Sequence, residues 1–447
     1  MPAGSPEAGP LTAPEGEPVG TLRGFSAGAL LRRLRQDALL RNSAIYLAGG
    51  VAAGLFGYVF HFATGRLLGP AGYAVVAAVL SALYLASLPG LVMQTVAMRF
   101  AGLHAGRDEL GAVPGLLRKL TIGSLLLGLA GGVGLVALAP AVAGWLHVSD
   151  LRAVYALAAA SAVGLLVTAN RGALQGLRRF VVLSANGVLD MAARVVAAVG
   201  LIAAGAGAAG GLLALVIGPS LAYVHSLFAL RNLRTQPPGT AAPLGEVGRY
   251  AVWATIAAFG TTFVYNVDVL LAKHYLTPEA AGIYAGGAVL GRVVYFLGNT
   301  VVAVMFPEVA TLHARSESHF GVVDRSLLLV ASIGALLVVG YLALPGLVLL
   351  PYGPSFAAVT PYLAPFAAAL TLLALSNLLV NYFLSIGSVR FVAPLVGACL
   401  LESLLIALFH DGVGQILTMV VLSTGALTLA MGAVYAGDRL ARPRYAR

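Results

Sequence analysis

The chain has 447 residues, of which 59% are hydrophobic and only 10% are charged, and its mean hydropathy is +0.91. About 25% of all residues in a typical soluble protein are charged, so the composition excludes a soluble globular protein. Runs of about 20 apolar residues recur along the chain, which is the length that a helix needs to cross a bilayer. The sequence therefore predicts an all-α integral membrane protein.

The net charge of +10 does not indicate nucleic-acid binding, because membrane topology accounts for where the positive residues lie. The single cysteine, Cys399, lies within an apolar run, so an intramolecular disulfide is excluded and no Cys/His metal site is indicated. The sequence contains no Walker-type phosphate loop, which argues against ATP hydrolysis. We therefore expect no cofactor and no nucleic-acid partner.

The first 42 residues are predicted to precede the membrane-spanning region. Residues 1–20 are rich in Pro, Gly and Glu, which is typical of a disordered tail rather than of a signal peptide. Residues 23–41 alternate Leu pairs with Arg at helical spacing, which is typical of an amphipathic helix on an anionic membrane surface. A basic flank that only sets the membrane topology is the alternative interpretation.

Apolar runs between charge clusters predict twelve transmembrane helices. They form two six-helix lobes, residues 43–230 and 249–437, which are joined by a cytoplasmic linker at 231–248 and followed by a basic cytoplasmic tail at 438–447. The predicted spans are 43–65, 72–98, 121–146, 152–170, 181–204, 208–228, 250–272, 279–306, 326–350, 357–385, 391–410 and 414–437.

The positions of Lys and Arg support this count. If both termini are cytoplasmic, 22 of the 27 positive residues fall in inside segments, as the positive-inside rule requires. A missed or added helix would invert every later loop and destroy this bias. The predicted outside loops have about ten residues or fewer. An enzyme that holds a glycan acceptor outside the membrane needs a larger loop, so the topology favours a translocator over an enzyme.

Three identities at an offset of 208 residues relate the two halves of the chain. Because each half has six spans, both halves start on the same side of the membrane. The repeats are therefore parallel and related by a pseudo-two-fold axis along the membrane normal, with a cavity expected between them. The identities are Leu68 with Leu276, Pro70 with Pro278, and Ala77 with Ala285.

Six stretches, in order along the chain, form a recognisable set: Gly69–Pro70, Arg171–Phe180, Asp268–Ala285, Met305–Glu308, Tyr352–Phe356 and Asn377–Gly387. This set resembles polysaccharide exporters of the multidrug/oligosaccharidyl-lipid/polysaccharide superfamily, which have a MATE-like fold. The resemblance covers roughly residues 36–437.

The resemblance implies a flippase that carries lipid-linked oligosaccharide repeat units from the inner to the outer leaflet of the bacterial cytoplasmic membrane, for O-antigen, capsule or exopolysaccharide assembly. Its implied partners are the oligosaccharide on a polyprenyl pyrophosphate carrier, membrane lipids, and a glycan polymerase and glycosyltransferases. Two alternatives stay open, a cation-coupled multidrug extruder of the same superfamily and a membrane glycan polymerase or ligase. Many multidrug members use an acidic residue in their first helix for coupling, and the first predicted span has none.

Two arginines within predicted spans are candidate substrate ligands, because an ionisable residue inside a bilayer is expected to face a cavity or a partner. A guanidinium binds phosphate oxygens bidentately. Arg292, near the middle of the eighth span, is predicted to bind the pyrophosphate, with a structural ion pair to another helix as the alternative. Arg194 follows Asp190 by one helical turn. These two residues form either an intrahelical ion pair or a site in which Asp190 orients Arg194 towards substrate.

Two carboxylates are candidates for coupling transport to protons or cations. Glu402 lies midway along the eleventh span, where burial makes a carboxylate sensitive to hydration, and a structural pair with a basic residue is the alternative. Asp190 is the second candidate. Asp268, near the outer end of the seventh span, is instead expected to have a structural role at the membrane interface.

Amides within the predicted spans are candidate ligands for sugar hydroxyl groups. Asn266, Asn377 and Asn381 belong to this set, and hydrogen bonding between helices is the alternative role. His61 and His225 lie near the ends of their spans, where an imidazole reaches interfacial water, and we assign them no chemistry.

Overall fold

The computed structural model describes residues 38–106, 110–148, 150–233 and 248–441. Within these residues the fold is all-helical, and no β-strand occurs among them. The predicted tail at 1–20 and most of the predicted amphipathic helix at 23–41 lie outside the described residues, and residues 38–41 are helical. Most of the predicted linker at 231–248 and the end of the basic tail also lie outside the described residues.

The described residues before 234 form seven α-helices, which we number α1 to α7. Two of the connections between helical segments depend on glycine, since only glycine readily adopts a positive φ. Within α1, Gly69 has φ 67° and breaks the axis ahead of Pro70. Between α6 and α7, a π-helical turn at Ile202–Ala206 contains Gly205 at φ 91° and is followed by Gly207 at φ 53°. The helices are α1 (Ala38–Ala86), α2 (Leu88–Gly106), α3 (Val113–Ala137), α4 (Ala139–Trp145), α5 (Arg152–Gly176), α6 (Phe180–Leu201) and α7 (Gly207–Ala229).

The described residues from 248 onwards form α8 to α14 and one 3₁₀ helix. Pro278 begins α9, just as Pro70 begins the second part of α1. Proline is favoured at the first position of a helix, since its missing N–H is not needed there. The elements are α8 (Gly248–Tyr275), α9 (Pro278–Ala314), α10 (Phe320–Ala343), α11 (Pro345–Leu349), the 3₁₀ helix Pro354–Tyr362, α12 (Leu363–Ser385), α13 (Val392–Leu408) and α14 (Val413–Ala441).

Nine helical stretches among the described residues are long and apolar enough to cross a membrane. Two of them, Ala48–Ala86 and Phe180–Leu233, contain the glycine breaks described above. Large aliphatic side chains cover the outside of the bundle, and Leu336 and Leu429 are 72% and 77% exposed. Such an apolar surface is unfavourable in water and suited to lipid. The protein is therefore a multi-pass integral membrane protein.

Contacts near the ends and turns of helices define one end of the bundle, which we call the Arg66 end. The Arg66 guanidinium donates a hydrogen bond to the carbonyl of Leu350 over 3.3 Å. The rings of Trp145 and His274 stack with their centroids 4.7 Å apart. All four residues come from loops, or edges of spans, that the predicted topology assigns to the external side of the membrane.

The opposite end, which we call the Arg439 end, is held by ion pairs. Arg439 contacts Asp324 over 2.9 Å, and Arg390 contacts Asp438 over 2.8 Å. Tyr382 also donates a hydrogen bond to Asp438. These residues come from segments, or the spans bordering them, that the positive-inside rule assigns to the cytoplasmic side.

Most helix packing occurs within each half of the chain. In the first half, α1 packs on α6, and α5 packs on α2, α3 and α7; in the second, α12 packs on α9, α10 and α14. Helix α1 also packs on α8 and α9 and is the main connection between the halves. The turn of α1 at Gly69 and Pro70 lies close against Gly282 of α9. A Cβ atom on Gly282 would be 1.9 Å from the carbonyl oxygen of Pro70.

Candidate functional site

A cavity of about 240 Å³ lies between the two halves of the chain. One wall is α1, where small residues follow helical spacing and leave space beside the helix. The opposite wall consists of α8 and α9. The cavity is lined by Gly50, Ala53, Gly54, Gly57, Tyr58, His61, Tyr84, Met191, Tyr265, Val289, Arg292 and Phe296.

Arg292 is the cation in the lining of this cavity, and it is only 8% exposed. Its Nη2 atom donates a hydrogen bond to the carbonyl of Tyr265 over 2.7 Å and lies 3.5 Å from Oδ1 of Asn266. The guanidinium carbon lies 4.3 Å from the centre of the Tyr265 ring. None of the ion pairs among the described residues includes Arg292. Because a guanidinium has five N–H donors, Arg292 retains both charge and donors for an anion.

Arg194 lies in an ion cluster within the first half and does not line the cavity. Asp190, which is 1% exposed, accepts hydrogen bonds from Arg194 Nε over 2.8 Å and from Arg171 Nη2 over 2.9 Å. Arg171 Nε also donates to Asn186 over 2.7 Å. The intrahelical pair suggested by the sequence spacing is present, and Arg171 from α5 is a second cation that the spacing did not indicate.

Two carboxyl groups are buried in the second half of the chain. Asp268 is 4% exposed and Glu402 is fully buried. Tyr284 donates a hydrogen bond to Asp268 Oδ2 over 2.9 Å. Among the described residues, the other oxygen of Asp268 and both oxygens of Glu402 lack a hydrogen bond of standard geometry, and the Ser423 hydroxyl is the polar group near Glu402. An ionised carboxylate is unfavourable in such a site unless it is paired, so both groups are suited to holding a proton or meeting a cation when the site hydrates.

The candidate amides occupy two different places. Asn266 lies beside Arg292, as described above. Asn377 donates to Asn299 over 2.8 Å, and Asn381 donates to the carbonyl of Asn377 over 2.8 Å. This second amide cluster is outside the cavity lining. The structure therefore brings together Arg292 and Asn266, but not Arg194, Asn377 or Asn381.

The aromatic lining of the cavity was not predicted from the sequence. Tyr58 and His61 lie on the same stripe of α1 as Gly50, Gly54 and Gly57. The intervals of four, three, one and three residues keep all five positions on one helical face. This stripe of small and aromatic residues is a signal in the sequence that indicates a face open to a cavity.

Comparisons with known proteins agree on the family and the fold. A family model described as "Polysaccharide biosynthesis protein" matches residues 39–313. No curated protein matches the sequence. The search of solved structures found MATE transporters.

Three of these solved structures illustrate the likeness. An inward-facing multidrug resistance MATE transporter of the MOP superfamily has a TM-score of 0.70 and 12% identity, over 90% of this chain and 98% of that one. An outward-facing multidrug resistance MATE transporter has a TM-score of 0.64 and 12% identity, over 92% of this chain and 98% of that one. A eukaryotic MATE transporter has a TM-score of 0.64 and 14% identity, over 93% of this chain and 99% of that one. At such identities the likeness shows the fold alone.

The family model covers more than half of the chain, and the resemblance inferred from the sequence motifs is confirmed. The chain belongs to the polysaccharide biosynthesis protein family and has the fold of the MATE transporters of the MOP superfamily.

Proposed function

We propose that the protein is a flippase that moves lipid-linked oligosaccharide repeat units from the inner to the outer leaflet of a bacterial cytoplasmic membrane for surface polysaccharide assembly. The observation that carries this proposal is Arg292, a buried cation that lines a cavity between the two halves of the chain and forms no ion pair with any residue that the structure describes. A diphosphate is the part of the substrate that matches its charge and its donor geometry.

The physical requirement is to move a charged head group through hydrocarbon. Removing an anion from water is very unfavourable unless other groups replace its hydration. In the proposal, Arg292 and the polar groups near it, including Asn266, supply this replacement, while the polyprenyl chain stays in the lipid. The aromatic rings of Tyr58, Tyr84 and Tyr265 provide flat surfaces beside the phosphate for the first sugars.

Twelve membrane spans in two lobes, with both termini in the cytoplasm, complete the proposal. The breaks at Gly69 and at Gly205 divide two long apolar stretches into two spans each, which supports the predicted count. The Arg439 end then corresponds to the cytoplasmic side, where most of the positive residues are predicted. The halves contact each other at the Arg66 end, and this contact supports an inward-facing state as part of the proposal.

For coupling, we propose Glu402 acting with Asp268, because both carboxyl groups are buried and incompletely hydrogen-bonded. Asp190 is fully engaged by two arginines, and a structural role suits it better than coupling. The same ion cluster suggests a structural role for Arg194 in this conformation. The Asn377 and Asn381 pair likewise suits helix association.

The experiment that tests the proposal compares a deletion strain complemented with wild type, Arg292→Lys, Arg292→Gln and the matched control Arg315→Gln, an exposed arginine outside the cavity. We expect Arg292→Gln to lose surface polysaccharide and to accumulate complete lipid-linked repeat units on the inner leaflet at normal protein levels. Arg292→Lys keeps the charge without the bidentate fork and should be intermediate. Full export by Arg292→Gln would refute the phosphate role.

The fold of multidrug MATE transporters supports a second candidate, a cation-coupled extruder of small amphipathic molecules. It predicts drug sensitivity in the deletion strain, with unchanged surface polysaccharide and unchanged lipid-linked pools. Product formation by the purified protein in detergent, where there are no compartments, would instead indicate a glycan polymerase or ligase and overturn both transport assignments.

A further inference from the structure

His61 lies between the cavity and the contact that joins the two halves at the Arg66 end. Its ring lines the cavity together with Arg292. Its Nδ1 atom is hydrogen-bonded to the hydroxyl of Tyr73 over 2.8 Å. No hydrogen bond to its Nε2 atom occurs among the described residues, so this nitrogen is free for a ligand.

Tyr73 continues the connection to the other half of the chain. Its hydroxyl lies 3.4 Å from the hydroxyl of Tyr352, and both tyrosines are fully buried. The Tyr352 ring also meets Phe62 edge-on, with centroids 5.0 Å apart. It packs so tightly on α1 that a Cβ atom on Gly65 would lie 2.6 Å from its Cδ1. Tyr352 is thus seated in a socket on α1 formed by Phe62, Gly65 and Tyr73.

We propose that His61 is a second ligand of the anionic group that Arg292 binds, and that it transmits occupancy of the cavity through Tyr73 to the Tyr352 socket. This inference rests on the proposed function and assigns two roles to residues outside it. His61 binds substrate, and the Tyr73 and Tyr352 pair is a positioning contact that keeps the Arg66 end shut while the cavity is empty.

The order of donors explains how the roles are linked. If Tyr352 donates to Tyr73 and Tyr73 donates to Nδ1 of His61, the proton of the imidazole is on Nε2, which then donates to a phosphate oxygen. An anion that draws the ring towards Arg292 must lengthen or reorient the bond between His61 and Tyr73. The contact between the halves is then weakened only when substrate is bound, which shifts the population towards separation at the Arg66 end.

Binding of farnesyl diphosphate to the full-length protein in detergent tests the ligand role. The amide of Asn can replace Nδ1 of a histidine, whereas the amide of Gln can replace Nε2. We therefore expect His61→Asn to bind about tenfold or more weakly, as expected for loss of a hydrogen bond to a charged group, and His61→Gln to recover most of the affinity. His225→Asn is the matched control, because His225 is bonded through Nδ1 to Asn186 and does not line the cavity.

Distance measurements between spin labels test the transmission. Leu138 and Leu344 are 59% and 57% exposed, lie at the Arg66 end in different halves, and can carry labels in a Cys399→Ser background. In the wild type, farnesyl diphosphate is expected to broaden the distance distribution towards longer separations. Tyr73→Phe and Tyr352→Phe keep both rings but remove the hydroxyls, and each should show the longer separations without ligand.

The outcomes separate this inference from the proposed function. Wild-type affinity in His61→Asn, with affinity lost in Arg292→Gln, would overturn the ligand role of His61 and leave the flippase proposal standing. Unchanged affinity in both variants would count against the phosphate site itself. Distances and ligand response in Tyr73→Phe and Tyr352→Phe that equal those of the wild type would overturn the transmission.

Discussion

Replacing Asp190 with asparagine is expected to destabilise the first half of the chain strongly. Asp190 is 1% exposed and accepts bonds of 2.8 Å and 3.3 Å from Arg194 and of 2.9 Å from Arg171. Removing one partner of a buried ion pair costs about 3–5 kcal/mol, because the remaining charge is left without compensation. The two arginine side chains are 13% and 21% exposed, and this partial hydration places the expected loss near the lower limit, about 3 kcal/mol.

The assay heats the protein in detergent and measures the remaining monodisperse fraction by size-exclusion chromatography. The midpoint is the temperature at which half of this fraction is lost. Arg194→Met is the companion variant, since it leaves Asp190 paired with Arg171 and should lower this temperature less than Asp190→Asn. Arg194→Met should also bind farnesyl diphosphate as the wild type does. A midpoint for Asp190→Asn equal to that of the wild type would refute the structural role of the ion cluster. Weaker binding of farnesyl diphosphate by Arg194→Met would indicate that Arg194 belongs to the substrate site.

Three further predictions concern close packing and buried charge. Gly282→Ala should lower thermal stability and export, because its Cβ would meet a backbone carbonyl of the α1 turn at 1.9 Å. Gly432→Ala is the control, because open space surrounds Gly432, and it should leave thermal stability and export unchanged. Gly65→Val should prevent closure at the Arg66 end, visible as longer distances between spin labels without ligand. Glu402→Gln should retain farnesyl diphosphate binding but lose the dependence of transport on an ion gradient, whereas an unchanged gradient dependence would exclude Glu402 from coupling.

Much of the fold could be predicted from the sequence because hydrophobicity and backbone chemistry act locally. Apolar runs of bilayer length mark the helices, and Pro70 and Pro278 mark where helices begin. The break at Gly69 was predicted as a loop between spans, and it is a single residue of positive φ within α1. The local signals therefore give the positions of the turns, while the packing of neighbouring segments determines how short each turn is.

The candidate site was only partly predictable, because its parts are distant in sequence. Arg292 is identifiable from the sequence alone, since a charge deep in an apolar span requires a cavity or a partner. The second cation on Asp190 is Arg171, which lies on another helix, 19 residues away. Likewise, Tyr352 meets Tyr73 across 279 residues. Contacts of this kind depend on how the helices pack and leave no periodic pattern in a single sequence.

The position of α1 has a consequence for how the molecule could be assembled. Apart from α1 and a few contacts near it, each half packs mainly on itself, and the halves meet through interdigitated surfaces such as Gly282 against Pro70. A chain cut between Leu233 and Gly248 would thus leave α1 intact on the first fragment, with its face for the second fragment complete. Two polypeptides made separately should then associate in the membrane into one transporter, in the manner of a natural heterodimer.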